Sequence, residues 1–393
     1  MNLLQILSSI FFPQFLALIQ QFDWLGYQNK GVVHVKSLNE RFNPATEYPI
    51  LNFVGLVEQH GYTAEEHVLV SPDGYKLTLH RISGSPKCKT TKRKPVVYLQ
   101  HGIMLSSDSW VLIGPEKDLA YQLADACKDV WVGNVRGNTY SDKHVNSKMS
   151  ETEFWKFSYH EMAVYDIKTF IDFILQTTGE PKMTYIGYSM GTTLSYVFLS
   201  TYPEYNQKFN LVQSLAPVVY WKYPLRKIVA YVDLIYQPLI ALLNTFQVNK
   251  VLPQSPLAAA FGAKFCKDGD ALQNLCTSLI STIGLDPLRL NRVSIQYQIL
   301  FSYINHNINM RKYGQKTPPV YDLSKVTAPV SIWYAKNDDI VNYKDVEYLK
   351  TKLPNVVSFS EVHNENFNHF DFLWARDVKE LVYDYLIGYP VHY

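Results

Sequence analysis

The chain has 393 residues, 47% of them hydrophobic and 18% charged, with a formal net charge of +2. That length and apolar content support a large buried core and exclude an intrinsically disordered protein. The nearly neutral balance gives no reason to expect a nucleic-acid partner.

Residues 3–19, LLQILSSIFFPQFLALI, are apolar and uncharged, and residues 1–20 read as a secretory signal peptide. Pro13 and the short length argue against a full membrane span. Residues 65–82, EEHVLVSPDGYKLTLHRI, alternate apolar and polar about Asp73-Gly74, which predicts a β-hairpin. The basic run from Lys87 to Lys94 follows and reads as a solvated hairpin loop. Residues 95–102, PVVYLQHG, predict a buried strand, residues 119–129 a helix and residues 130–135 another strand. Residues 159–179 have helical apolar spacing and stop at Gly179. A strand over 183–188 hands over to a helix, and further strands are predicted over 210–218, 329–338 and 355–362, with a helix over 345–353. Strands alternating with helices predict an α/β fold with a doubly wound, mostly parallel sheet. Between residues 219 and 319 the alternation fails. That block is helical, aromatic and apolar, and reads as an inserted cap or lid between core segments 21–218 and 320–393.

Four cysteines, Cys88, Cys127, Cys266 and Cys276, allow three pairings. Cys266 and Cys276 flank KDGDALQNL and could close a small loop, in keeping with an oxidising compartment. Cys127, in LADACKDVWV, reads as a buried free thiol.

The stretch GYSMG at 187–191 places one serine between two glycines at a strand-to-helix handover. A nucleophile must stand clear of the sheet, and a sharp turn that lifts it there needs small residues two before and two after. Ser189 is therefore the candidate nucleophile. A serine hydroxyl needs a base, and in such folds the order is Ser, then an acid, then His. His306, His363, His369 and His392 follow Ser189. His369, in NHFDFLW after the last strand, is the candidate base, with His363 as its alternative. Asp338, at the end of the strand SIWYAKND, is the candidate acid, with Asp339 as its alternative. An oxyanion hole would draw on the backbone N–H groups of Met190 and Ile103. His101, just before that loop, reads as a structural histidine. There is no H-E-x-x-H and no phosphate-binding glycine loop, so neither metal nor cofactor is expected.

Several stretches carry a family resemblance: LQHGIMLSSDSWVLIGPEKDLAYQLADA (99–126), DVWVGNVRGNTYSDKHV (129–145), EFWKFSYHEMAVYDI (153–167), YIGYSMGTT (185–193) and NHFDFLWA (368–375). On these the chain resembles the acid lipases, the gastric and lysosomal type, and looks closest to insect members. The resemblance implies an α/β-hydrolase fold with a cap, and hydrolysis of triacylglycerols or sterol esters at a lipid–water interface. It maps a triad onto Ser189, Asp338 and His369, oxyanion donors onto Ile103 and Met190, and a cap disulfide onto Cys266 and Cys276. Family members often carry His and Gln where this chain has Tyr188 and Met190. The family's H-x-P-A-G-x-S motif is not recognisable between Leu288 and Gln315, so the cap reads as shortened. The expected protein is a secreted or lysosomal serine esterase acting on lipid, with no nucleic-acid or protein partner implied. The alternatives are a non-catalytic lipid-binding or storage protein and an esterase for small soluble esters.

Overall fold

The computed structural model describes residues 31–223 apart from 38, 44–46 and 91, the dipeptides 250–251 and 290–291, and residues 320–389. The signal expected over 1–20, nearly all of the cap expected over 219–319, and Cys266, Cys276, His306 and His392 lie outside the described residues. The contacts divide the chain into two units, residues 1–52 with 252–290 and residues 53–251 with 291–393. In the first unit, strands Gly31–Val35 and Glu47–Leu51 pair in parallel, a pairing that the sequence reading did not anticipate.

The second unit is built on a sheet of nine strands among the described residues. In chain order they are β1 (Thr63–Val70), β2 (Tyr75–Gly84), β3 (Val96–Gln100), β4 (Asp129–Asn134), β5 (Lys143–His144), β6 (Met183–Tyr188), β7 (Phe209–Leu215), β8 (Val330–Tyr334) and β9 (Val356–Glu361). They lie in the order β9-β8-β7-β6-β3-β4-β2-β1, with β5 added to β2. From β4 to β9 every pairing is parallel, and the β1–β2 hairpin joins the β4 edge antiparallel. The expected α/β fold is therefore the observed one.

The strand sequences explain this arrangement. Strands β3, β4, β6 and β8 are buried at every position, as near-continuous apolar runs must be in a sheet covered on both sides. Successive side chains then feed two cores. Tyr98, Trp131 and Tyr185 face one, with Phe170, Ile174 and Leu194 of the helices. Leu99, Val132 and Ile186 face the other, with Trp110, Tyr121 and Leu373. Each fully buried Val, Leu, Ile or Phe in such a core contributes about 1.5–3 kcal/mol.

Four helices matter for the site: α1 (Leu119–Asp125), α2 (Lys168–Thr178), α3 (Met190–Thr201) and α4 (Tyr343–Lys350). Helix α2 continues a helix that begins at Tyr159. Ser158 and Glu161 form a capping box at its start, and Gly179, at φ 65°, ends it as expected. Between them Met162–Ile167 widens into a π-helix, which the apolar spacing did not reveal.

Two readings are corrected. Strands β2 and β3 are not neighbours, because β4 lies between them. The basic run at 87–94 is therefore a crossover connection and not a hairpin loop. It is also tied down: the Lys94 ammonium donates to the Ser83 carbonyl at 2.8 Å, and Arg93 pairs with Glu180 at 3.3 Å. Cys127 is not a free thiol but is bridged to Cys88, with a Cα–Cα distance of 5.3 Å. The bridge spans 39 residues, a separation that no local pattern reports. Cys127 also ends α1 in a left-handed conformation at φ 59°, with the Lys128 N–H donating to the Leu123 carbonyl at 3.0 Å.

Candidate active site

Strand β6 ends at Tyr188 and α3 starts at Met190, so Ser189 alone makes the turn. Its backbone sits at φ 52° and ψ −118°, a conformation costing a non-glycine residue about 1–3 kcal/mol. The surroundings hold it there. The Ser189 N–H donates to the Leu215 carbonyl at 2.9 Å, and the Ser189 carbonyl accepts from Thr192 N–H at 2.9 Å and Thr192 Oγ1 at 2.7 Å. The two flanking glycines are there for space. A Cβ on Gly187 would lie 2.8 Å from the Gly191 backbone, and one on Gly191 would overlap the Gln100 carbonyl oxygen.

Three of the residues chosen from the sequence meet at this turn. Ser189 Oγ lies 2.8 Å from His369 Nε2, and His369 Nδ1 lies 2.8 Å from Asp338 Oδ2. A carboxylate only accepts, so Nδ1 carries the proton and Nε2 accepts from the serine hydroxyl. The second Asp338 oxygen accepts from the Ile340 and Val341 N–H groups, both at 2.8 Å. All three residues are buried, at 2–4% exposure, so water competes little for these bonds. The arrangement can carry a proton from Oγ to imidazole while a fixed carboxylate balances the imidazolium. The alternatives do not join it: Asp339 and His363 are both exposed.

Met190 opens α3, so its N–H belongs to the free first turn of a helix beside Ser189. Ile103 follows Gly102 in a turn closed by the Leu105 N–H on the Gly102 carbonyl at 3.4 Å, with Met104 at φ 62°. Gly102 is pressed against the elbow: a Cβ there would stand 3.1 Å from both the Ser189 Cβ and the Tyr188 ring. His101, the residue before Gly102, is buried. Its Nδ1–H donates to the Gly102 carbonyl at 2.7 Å, and Asn138 Nδ2 faces its Nε2 at 3.3 Å. Asn138 also donates to Asn134 Oδ1 at 2.7 Å, which in turn accepts from the Ser107 N–H at 2.9 Å. This buried chain of amides backs the Ile103 loop. The run RGNTY entered the sequence reading only as a family mark, and its chemistry there went unread.

Asp118, Asp129, Asp166 and Asp345 are also buried outside this cluster, and two of them have raised carboxyls. Asp166, in the π-helical turn, accepts from the Arg136 backbone N–H at 2.8 Å and from its guanidinium at 2.6 Å. Burial pushes its carboxyl up to about 6 against the opposing pull of Arg136. Asp118, just before α1, accepts at one oxygen from the Ile113 and Gly114 N–H groups, at 2.6 and 2.8 Å. Its other oxygen is buried without a hydrogen bond among the described residues, and burial pushes this carboxyl up to about 7.

Comparison with known proteins agrees with this architecture. The family described as alpha/beta hydrolase fold matches residues 95–375, and the partial alpha/beta-hydrolase lipase region matches residues 53–114. The chain is 35% identical to gastric triacylglycerol lipase of Rattus norvegicus, over 88% of this chain and 93% of that one. It is 34% identical to Lipase 3 of Drosophila melanogaster, over 86% of this chain and 92% of that one. Among solved structures, an esterase from Exiguobacterium antarcticum shares the fold with a TM-score of 0.51 at 16% identity, over 83% of this chain and 99% of that one. With a nine-stranded sheet of this order, a serine elbow at its centre and relatives matched over nearly their whole length, the chain belongs to the acid lipase family of the α/β hydrolases.

Proposed function

We propose that this carboxylic ester hydrolase cleaves triacylglycerols or sterol esters through an acyl-enzyme on Ser189. His369 takes the Ser189 proton as the hydroxyl attacks the ester carbonyl, then returns it to the leaving alcohol. Asp338 holds the imidazole tautomer and balances the imidazolium. The N–H groups of Met190 and Ile103 receive the oxyanion. A water activated by His369 then releases the fatty acid. The observation that carries this reading is the buried chain of 2.8 Å bonds from Ser189 through His369 to Asp338, mounted on a strained turn.

The finer features follow from the same reading. Residues 1–20 act as a signal peptide that sends the protein to the secretory route, outside the cell or to a lysosome. The Cys88–Cys127 bridge supports an oxidising compartment. Residues 219–319 form the cap that meets the lipid–water interface, closed by a Cys266–Cys276 bridge. A second reading, an esterase for small soluble esters, draws on the missing H-x-P-A-G-x-S stretch between Leu288 and Gln315.

One experiment tests the assignment. The purified protein is treated with a fluorophosphonate and then assayed on emulsified triacylglycerol and on nitrophenyl esters of increasing chain length. Labelling at Ser189 with loss of turnover on both is expected. A folded protein that neither labels nor hydrolyses would be a lipid-binding relative instead. Turnover that stops at short esters would favour the second reading.

A further inference from the structure

We infer that Tyr188 is a positioning residue for the reaction, its hydroxyl holding the His369 loop in register with the nucleophile turn. The inference rests on the proposed roles of Ser189 and His369. Tyr188 is the last residue of β6, is 1% exposed, and precedes Ser189 directly. Its hydroxyl donates to the main-chain carbonyl of His369 at 3.0 Å, across 181 residues of sequence. Its ring lies 5.1 Å from the imidazole, centroid to centroid. The same ring is the surface against which Gly102 packs. One side chain therefore touches both the loop that carries the imidazole and the residue just before Ile103.

Hydrogen bonds within the His369 loop give it its form. The Asn368 N–H donates to Asp371 Oδ2 at 2.7 Å, and the Phe370 N–H to Asn368 Oδ1 at 3.0 Å. These bonds set the loop's form but not its distance from β6. Asn337 ties the same loop to the Asp338 side, donating to the Asn366 carbonyl at 3.2 Å. Tyr188 supplies the corresponding tie on the Ser189 side. A buried hydroxyl would be costly without a partner, so the His369 carbonyl is also what fixes the Tyr188 rotamer. A Phe here would fill the same space and leave the distance from Ser189 Oγ to His369 Nε2 without this constraint.

The test is Tyr188→Phe, which removes one oxygen and keeps the ring, with Tyr188→His as a second variant whose shorter ring falls short of the His369 carbonyl. Active sites are first titrated with a fluorophosphonate so that unfolded copies are not counted. The expected result is that kcat per titrated site falls about tenfold while KM is unchanged, the pattern of lost transition-state alignment. A side chain that only fills the core would lower the titre or the melting temperature and leave kcat per site alone. Wild-type kcat per site in whichever variant folds overturns the inference. Ser189→Ala, assayed alongside, separates the two claims. If it is inactive while Tyr188→Phe is normal, only the role of Tyr188 falls. If Ser189→Ala still turns over, the catalytic reading beneath it falls too.

Discussion

The loop after β8 and the loop before α1 each bury an aspartate, and each gives it the same cradle of two backbone N–H groups on one oxygen. They differ at the other oxygen. That of Asp338 accepts the His369 imidazole at 2.8 Å, and that of Asp118 accepts no hydrogen bond among the described residues. Burial alone does not decide what a carboxylate becomes. Given an imidazole, it can orient a base and balance its charge. Given no partner, it is driven toward its neutral form, here up to about 7.

The strongest way to break the comparison is to remove what the Asp338 side serves. Ser189→Ala should lower kcat by about 10⁶, with circular dichroism unchanged. Near-normal turnover by the folded variant would leave the Asp338–His369 pair without a catalytic purpose. The next effect is at the carboxylate itself. Asp338→Asn should cost about 10⁴ in kcat through the wrong imidazole tautomer, while Asp339→Asn, on an exposed side chain, should cost little. Equal losses would show that the neighbouring aspartate had been discounted in error.

The other region is sharpened by measurements of stability. Helix α1 is flanked by Asp118 at one end and by Cys127 of the Cys88–Cys127 bridge at the other. Cys127→Ala opens a loop of 39 residues and should cost about 4 kcal/mol in urea unfolding, by the chain-entropy estimate. Cys127→Gly should cost about 1 kcal/mol less, since glycine accepts the φ of 59° found there.

The last effect is the pH dependence of Asp118. Its folded carboxyl titrates at about 7, above the ordinary value of 3.8. Its contribution is therefore fully present below pH ~4, and is lost as pH rises toward ~7, because the unfolded chain ionises first. At about 1.36 kcal/mol per pH unit the loss approaches about 4 kcal/mol as an upper bound. Asp118→Asn keeps an acceptor for the two N–H groups and cannot ionise. Its unfolding free energy should change less between pH 4 and 8 than that of the wild type, with kcat retained. Parallel pH profiles for the two proteins would mean that Asp118 is ionised in the fold.

What the sequence revealed and what it concealed divide along a physical line. Strands β3, β6 and β8 were legible because a strand covered on both faces must be a short apolar run. Ser189, Asp338 and His369 were legible as candidates because Ser189 directly follows β6, with the glycines at 187 and 191 marking the turn, and the other two lie in the loops after β8 and β9. The features that escaped depend on distant partners. The crossover from β2 to β3 reads locally like a hairpin, and only the insertion of β4 between them says otherwise. The Cys88–Cys127 bridge, the Tyr188 tie to His369 and the buried oxygen of Asp118 join or isolate groups that no local window brings together. The capping box at Ser158 and Glu161 was there to be read, as Ser-x-x-Glu ahead of a helical pattern.

The tight seat of Gly191 under the Gln100 carbonyl has one more consequence. The reactive hydroxyl exists only where the end of β3, the start of α3, the Leu215 carbonyl on β7 and the His369 loop have all arrived. Those pieces come from positions 100 to 369, so nearly the whole central sheet must be assembled before any of them can hold the turn. A nascent or misassembled copy carries an ordinary alcohol at Ser189. Completion of the sheet is thus the condition under which the hydroxyl of Ser189 meets the imidazole of His369 at all.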